Sequence, residues 1–166
     1  MLKSKPKQGR ARESARVVSS YRFKTFHVDV VKEPAVYPVG EKLYSSFDVE
    51  PAARAILKTL DADKEHFLLI ACNNKNVAKG YKVISTGSLT ASLVHPREVW
   101  SAAIHLTAAA VVFVHNHPSG DPTPSQEDIE ITRRLKEVGD IMGVRVLDHI
   151  VLGDEKCFSF SDKGML

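Results

Sequence analysis

The sequence predicts an α/β fold, one mixed β-sheet flanked by helices and preceded by a basic N-terminal arm. Three observations carry this. Apolar runs of strand length alternate with segments of helical, 3.6-residue periodicity. The run at residues 109–114 is apolar throughout, as in a strand buried on both faces. No internal repeat or second core pattern is visible, and 166 residues suit a single core. We therefore divide the chain into a basic, partly disordered arm at 1–40 and a folded domain at 41–166.

Within that frame, residues 24–31 alternate loosely and read as a strand. Pro34, Pro38 and Gly40 then mark an irregular connection. Ser46 or Asp48 caps the first helix, with Pro51 in its first turn and helix formers across 52–60. Glu65 opens the apolar run 67–72, a buried strand. Asn73-Asn74-Lys75-Asn76 forms a hairpin turn into a second strand at 77–84, which Gly87 ends. His95-Pro96 starts a helix that runs to about residue 108. After the strand at 109–114, a loop with Pro118, Gly120, Pro122 and Pro124 leads to a helix over 125–142. Its apolar face is supplied mainly by Ile129, Ile131, Leu135, Val138 and Ile141. Strands at 145–152 and 157–160 flank the turn Gly153-Asp154.

Composition sets the class. At 43% apolar and 26% charged the chain is ordinary globular protein. No apolar run approaches the roughly 20 residues of a membrane span. The N-terminal charges lack the apolar stretch of a secretory signal, so the cytoplasm is the expected location. Cys72 and Cys157 lie in apolar, strand-like runs; they could pair, but in an unsecreted chain they read as two buried free thiols. Charge is unevenly placed. Residues 1–24 hold eight basic side chains against one acid, Glu13, a local charge of +7; the whole chain carries +3, so the remainder carries −4. Such an arm suits weak, non-specific contact with nucleic acid, or simply a solvated tail. No aromatic residue precedes Tyr21, so no base-stacking platform is expected.

The chemistry concentrates in His115-Asn116-His117-Pro118, followed by Ser125 and Asp128. Residues i and i+2 on extended backbone point the same way, so both imidazoles can reach one ion. Pro118 favours extended geometry at His117. Both histidines fall just past the end of a buried strand, where α/β sheets commonly place their sites. Asp128 begins the next helix, and the proline-rich loop can return its carboxylate toward them. Two imidazoles and a carboxylate fill three tetrahedral positions around Zn²⁺ and leave one for water, as in catalytic rather than structural zinc. Ser125 and Asp128 also have the spacing of a helix capping box, a role compatible with ligation. Catalytic zinc needs a partner to take the proton from the attacking water. Glu65, at the mouth of the strand that holds Phe67, Leu68, Leu69 and Ile70, is the candidate; a solvated strand end is the competing reading.

Four stretches, Gly87-Ser88-Leu89, Val94-His95-Pro96-Arg97-Glu98, His115 to Gly120, and Asp148-His149-Ile150, closely resemble the RadC-like branch of the JAB/MPN (JAMM) family. The resemblance covers residues 46–166. The JAMM pattern is a glutamate, then His-x-His, seven residues, Ser, two residues and Asp. Pro118 to Pro124 supply the seven, so each ligand position is occupied. The resemblance implies JAB/MPN-like, cytidine-deaminase-like layering and one zinc on His115, His117 and Asp128. It implies Glu65 as general base and Ser125 as a group that stabilises the tetrahedral intermediate. Longer RadC proteins carry an N-terminal helix-hairpin-helix region where this chain has only the basic arm, which weakens a DNA-binding inference.

The expected activity is zinc-dependent hydrolysis of amide or isopeptide bonds in a peptide or protein substrate. The alternative is a RadC-type, DNA-repair-associated nucleic-acid-binding protein with little or no peptidase activity. A third class, a silent module that keeps the fold without turnover, usually lacks a ligand or the base, and neither is missing here. The letters His-Asn-His are not an HNH nuclease motif, which spreads over a ββα unit. His95, His105 and His149 read as structural hydrogen-bonders, His149 least securely. Ser119 and Asp121 are candidates for shaping a groove, Arg97 and Glu98 for a surface pair.

Overall fold

Alternating apolar residues in two neighbouring strands decide the architecture. In a computed structural model describing residues 40, 42–87 and 94–166, β1 (Glu65–Cys72) and β3 (Ala110–Asn116) lie side by side and are buried almost throughout. Leu68, Ile70, Val112 and Val114 face one core together with Ile150 and Leu152 of β4 (Arg145–Leu152), under α1 (Ser46–Leu57). Phe67, Leu69, Val111 and Phe113 face the other, under α2 (Pro96–His105) and α3 (Gln126–Met142). Burial on both faces is why these strands are continuously apolar.

Five strands form one mixed sheet in the order β2-β1-β3-β4-β5, with β2 at Ala78–Gly87 and β5 at Cys157–Ser159. β1 is antiparallel to β2 and β3, β3 and β4 are parallel, and β5 returns antiparallel to β4. The parallel pair is joined by α3, the crossover helix such a pair requires. The α/β fold read from the sequence is therefore the fold observed. No helix among the described residues is long and apolar enough to cross a membrane. Of the expected arm at 1–40 only Gly40 is described; the rest of it, with the strand at 24–31, Pro34 and Pro38, lies outside the described residues, as do Ser88 and Leu89.

Several element boundaries differ from expectation, for local reasons. The first helix begins at Ser46, capped by Ser45, and ends at Leu57, so Pro51 sits in its interior rather than its first turn. Asp48 secures the early start: its carboxylate accepts from the Tyr44 and Ser45 amides at 2.9 and 3.1 Å. The second helix ends at His105, and His95 is its cap, with Nδ1 accepting from the Arg97 amide at 3.1 Å. On α3, Ile131, Leu135 and Gly139 are buried but Ile141 is 85% exposed. The inward row is taken by Asp128, Ile131, Thr132, Leu135 and Gly139, spacings of three and four that leave Ile141 facing solvent. Both cysteines are free, but Cys157 is only half-buried because β5 is a sheet edge.

Candidate metal centre

Sheet register assembles the site. Phe67 pairs with His115 across β1 and β3 as the last pair of that ladder, and Glu65 and His117 each lie two residues further along their own strand. His115 lies inside β3 rather than past its end, and His117 follows immediately. The His117 amide donates to the Leu152 carbonyl at 2.8 Å, which continues the β3–β4 ladder one residue beyond the strand.

The loop after His117 is held against the β4–β5 turn. The Asp154 amide donates to the Gly120 carbonyl at 3.1 Å, and a Cβ on Gly153 would stand 2.2 Å from the Gly120 oxygen. Only glycine at 153 allows so close an approach. Arg54 braces the turn from α1, its Nη1 donating to the Gly153 and Asp154 carbonyls at 2.9 and 3.0 Å. The loop thus delivers Ser125, the cap of α3, and Asp128 in its first turn to the histidines.

Three side chains converge. His115 Nε2 is 3.1 Å from His117 Nε2 and 3.2 Å from Asp128 Oδ1, and His117 Nε2 is 3.5 Å from Asp128 Oδ2. His115 and Asp128 are buried and His117 half-buried; together they form a group able to hold a metal ion. The donor chemistry tests the fit. Metal–ligand bonds of about 2.0–2.2 Å at tetrahedral angles separate donor atoms by about 3.3–3.6 Å; the two imidazole nitrogens are 3.1 Å apart, and each meets a different carboxylate oxygen of Asp128, at 3.2 and 3.5 Å. His117 Nδ1 donates to the Asp121 carbonyl at 2.7 Å, which leaves a lone pair on its Nε2. That lone pair faces a second ring nitrogen and a carboxylate, a convergence that a cation relieves. The set fits zinc.

The electrostatics agree with this geometry. Burial pushes the Asp128 carboxyl up, but the imidazoles of His115 and His117 and the Ser125 hydroxyl outweigh it and hold the group well below the usual carboxylate range. His117 is raised, first by its contact with Asp128, against burial and aided by the Asp121 carbonyl and the charges of Asp128 and Glu65.

Ser125 combines two duties at one turn. Its amide and hydroxyl both donate to Asp128 Oδ2 at 2.7 Å, and its Oγ accepts from the Asp128 amide at 3.1 Å. The capping box is present, and it fixes the carboxylate that faces the histidines.

Of the other residues singled out in the sequence, His95 is a helix cap, and Arg97 and Glu98 form an exposed pair at 3.2 Å. His105 is the exposed last residue of α2 and is not among the grouped donors. Asp121 contributes through its backbone carbonyl to His117, while its carboxylate accepts from Thr123. His149 does not join the donor group; it is fully buried and lies 2.8 Å from His115 Nδ1. Burial, then the neighbouring His115, push its pKa well below the ordinary value. Sequence reasoning passed over Asn116 and Thr132. Asn116 lies between the two histidines, but its partners are visible only once β1 and β3 are known to be neighbours. A cleft of about 350 Å³, lined by Arg54, Asp61, His66, Asn116, His117 and Gly153, reaches the group through His117.

Comparison with known proteins agrees. The family model described as "RadC-like JAB domain" matches residues 44–165. A "UPF0758 protein" of Syntrophotalea carbinolica is 56% identical over 106 residues, which cover 64% of this chain and 47% of that protein. One of Geotalea uraniireducens is 55% identical over 106 residues, covering 64% and 46% respectively. A third, of Desulfitobacterium hafniense, is 44% identical over 137 residues, covering 82% and 58%. The chain spans about half the length of the curated relatives it matches. The family match takes in every residue that builds the centre described above, and the chain belongs to the RadC-like JAB domain family.

Proposed function

We propose that this chain is a zinc-dependent hydrolase of amide bonds, a metallopeptidase or isopeptidase of the JAMM type. The observation that carries the reading is the convergence of His115 Nε2, His117 Nε2 and the two carboxylate oxygens of Asp128 at 3.1–3.5 Å, with Glu65 at the start of the neighbouring strand β1. Membership of the family supports the coarser part, a metal-dependent hydrolase-like fold. When bound, zinc supplies a Lewis acid and a lowered pKa for water.

The chain's own residues do the rest. Glu65 takes a proton from the attacking water and returns it to the leaving amine. His117 opens to the cleft, so substrate approaches from that side and His115 and Asp128 stay behind it. Ser125 orients Asp128 at rest. To stabilise the oxygen that gains charge, as the family resemblance implies, its hydroxyl must turn from Asp128 to the substrate. The test is elemental analysis of the purified protein combined with a peptide-library cleavage screen. About one zinc per chain and metal-dependent amide cleavage support the reading; cleavage that survives metal removal refutes it.

A second reading rests on the charge of +7 at residues 1–24. It gives the arm weak, salt-sensitive contact with nucleic acid and no sequence preference. Deleting the arm should abolish that binding, and a truncated chain that binds equally well would refute it.

A further inference from the structure

Two side chains, His149 and Thr132, join two members of the metal centre by a path that does not pass through the metal. His115 Nδ1 and His149 Nε2 are 2.8 Å apart. His149 Nδ1 lies 2.5 Å from Thr132 Oγ1, which in turn lies 2.5 Å from the Asp128 carbonyl oxygen. All four residues are buried.

The end of this path fixes its direction. A carbonyl can only accept, and two oxygens 2.5 Å apart need a hydrogen between them. The Thr132 hydroxyl has one hydrogen, and it goes to Asp128. Thr132 therefore offers His149 a lone pair, and His149 Nδ1 must donate. A neutral imidazole carries a single N–H, so His149 Nε2 is bare and accepts from His115 Nδ1. His115 Nε2 is left with its lone pair on the side of His117 and Asp128. Phe160 is stacked on His149 at 5.1 Å between ring centroids, with the edges of Phe67 and Phe113 at 5.4 and 6.0 Å, which holds the ring in this orientation.

We propose that Thr132 and His149 are positioning residues that lock His115 in its Nδ1–H tautomer and so present Nε2 to the metal. The inference rests on the zinc reading above. His117 needs no such device, because the Asp121 carbonyl fixes its tautomer directly. His115, deep in β3, meets a second imidazole instead, and that imidazole must itself be fixed. The opposite tautomer of His149 would donate to His115 Nδ1, put the proton of a neutral His115 on Nε2 and block ligation.

The experiment uses the full chain, with Thr132→Val to remove the hydroxyl and Thr132→Ser to keep it. Long-range imidazole ¹⁵N NMR reads the His149 tautomer, and competition with a chromophoric chelator reads zinc affinity. Wild type and Thr132→Ser should show the His149 proton on Nδ1 and bind zinc alike. Thr132→Val should show mixed tautomers and bind zinc about ten- to a hundredfold more weakly. A wild-type His149 protonated on Nε2, a measurement that needs no variant, overturns the proposal. So does a Thr132→Val chain that matches wild type in zinc affinity. A wild-type chain with the Nδ1–H form that binds no zinc would overturn the metal reading and leave the tautomer lock standing, so the two failures are told apart.

Discussion

Asn116 grips the peptide groups on either side of Glu65. Its Oδ1 accepts from the His66 amide at 2.9 Å, and its Nδ2 donates to the Lys64 carbonyl at 3.0 Å. The side-chain amide thus continues the contact between β1 and β3 beyond their last backbone pair, Phe67–His115, and it fixes the Cα from which the Glu65 carboxylate hangs. Asn116→Ala should leave zinc content unchanged and lower turnover roughly ten- to a hundredfold, the scale expected for a misplaced catalytic group. Thermal unfolding should show a cost of about 1–2 kcal/mol. Unchanged turnover would mean that Glu65 is positioned by other contacts.

Zinc should be present at about one per chain. His117→Ala removes the ligand that faces the cleft, and elemental analysis should find most of the metal gone. Binding should weaken as pH falls through the imidazole range, because the imidazoles must be neutral to coordinate and the contact with Asp128 raises His117 above its ordinary value. Full retention of zinc in His117→Ala would rule out the site.

Gly153→Ala tests the seat of the ligand-bearing loop. The new methyl would meet the Gly120 carbonyl at 2.2 Å and Pro122 Cδ at 2.8 Å, so backbone must move. We expect a loss of about 1–3 kcal/mol in stability and a weaker zinc site. Gly80→Ala is the control: its methyl would lie an ordinary 3.7 Å from Leu106. Equal melting temperatures for the two variants would contradict the role given to Gly153.

The thiols should be slow to alkylate. Burial pushes Cys72 up to about 11, and burial with the Glu50 carboxylate does the same to Cys157. At pH 8 only about one part in a thousand of either is thiolate, far below a free cysteine. Iodoacetamide should label the folded chain slowly and the denatured chain fast, with the native rate still climbing above pH 9. Rapid native labelling at pH 8 would refute this.

The features legible in the sequence share one property, that they depend on local geometry. His115 and His117 share a face because the backbone between them is extended. Ser125 and Asp128 meet because a capping box is a single helical turn. The solid apolar runs of β1 and β3 announced strands with two buried faces. The rest depends on which strands are neighbours. Asn116 reaches Lys64 and His66 only because β1 lies beside β3, and His149 reaches His115 only because β4 lies on the other side. No spacing along the chain encodes either contact. Pro51 misled for a related reason: it is a good first-turn residue, but the capping contacts of Asp48 start the helix earlier.

The most direct test of the account is turnover of the zinc-loaded Glu65→Gln chain on an amide substrate that the wild type cleaves. The substitution keeps size and hydrogen bonding but removes the basic carboxylate, while His115, His117 and Asp128 remain. The account predicts unchanged zinc content and melting temperature with turnover reduced roughly a hundred- to ten-thousandfold. Activity within about threefold of wild type, or loss of zinc together with activity, would contradict it.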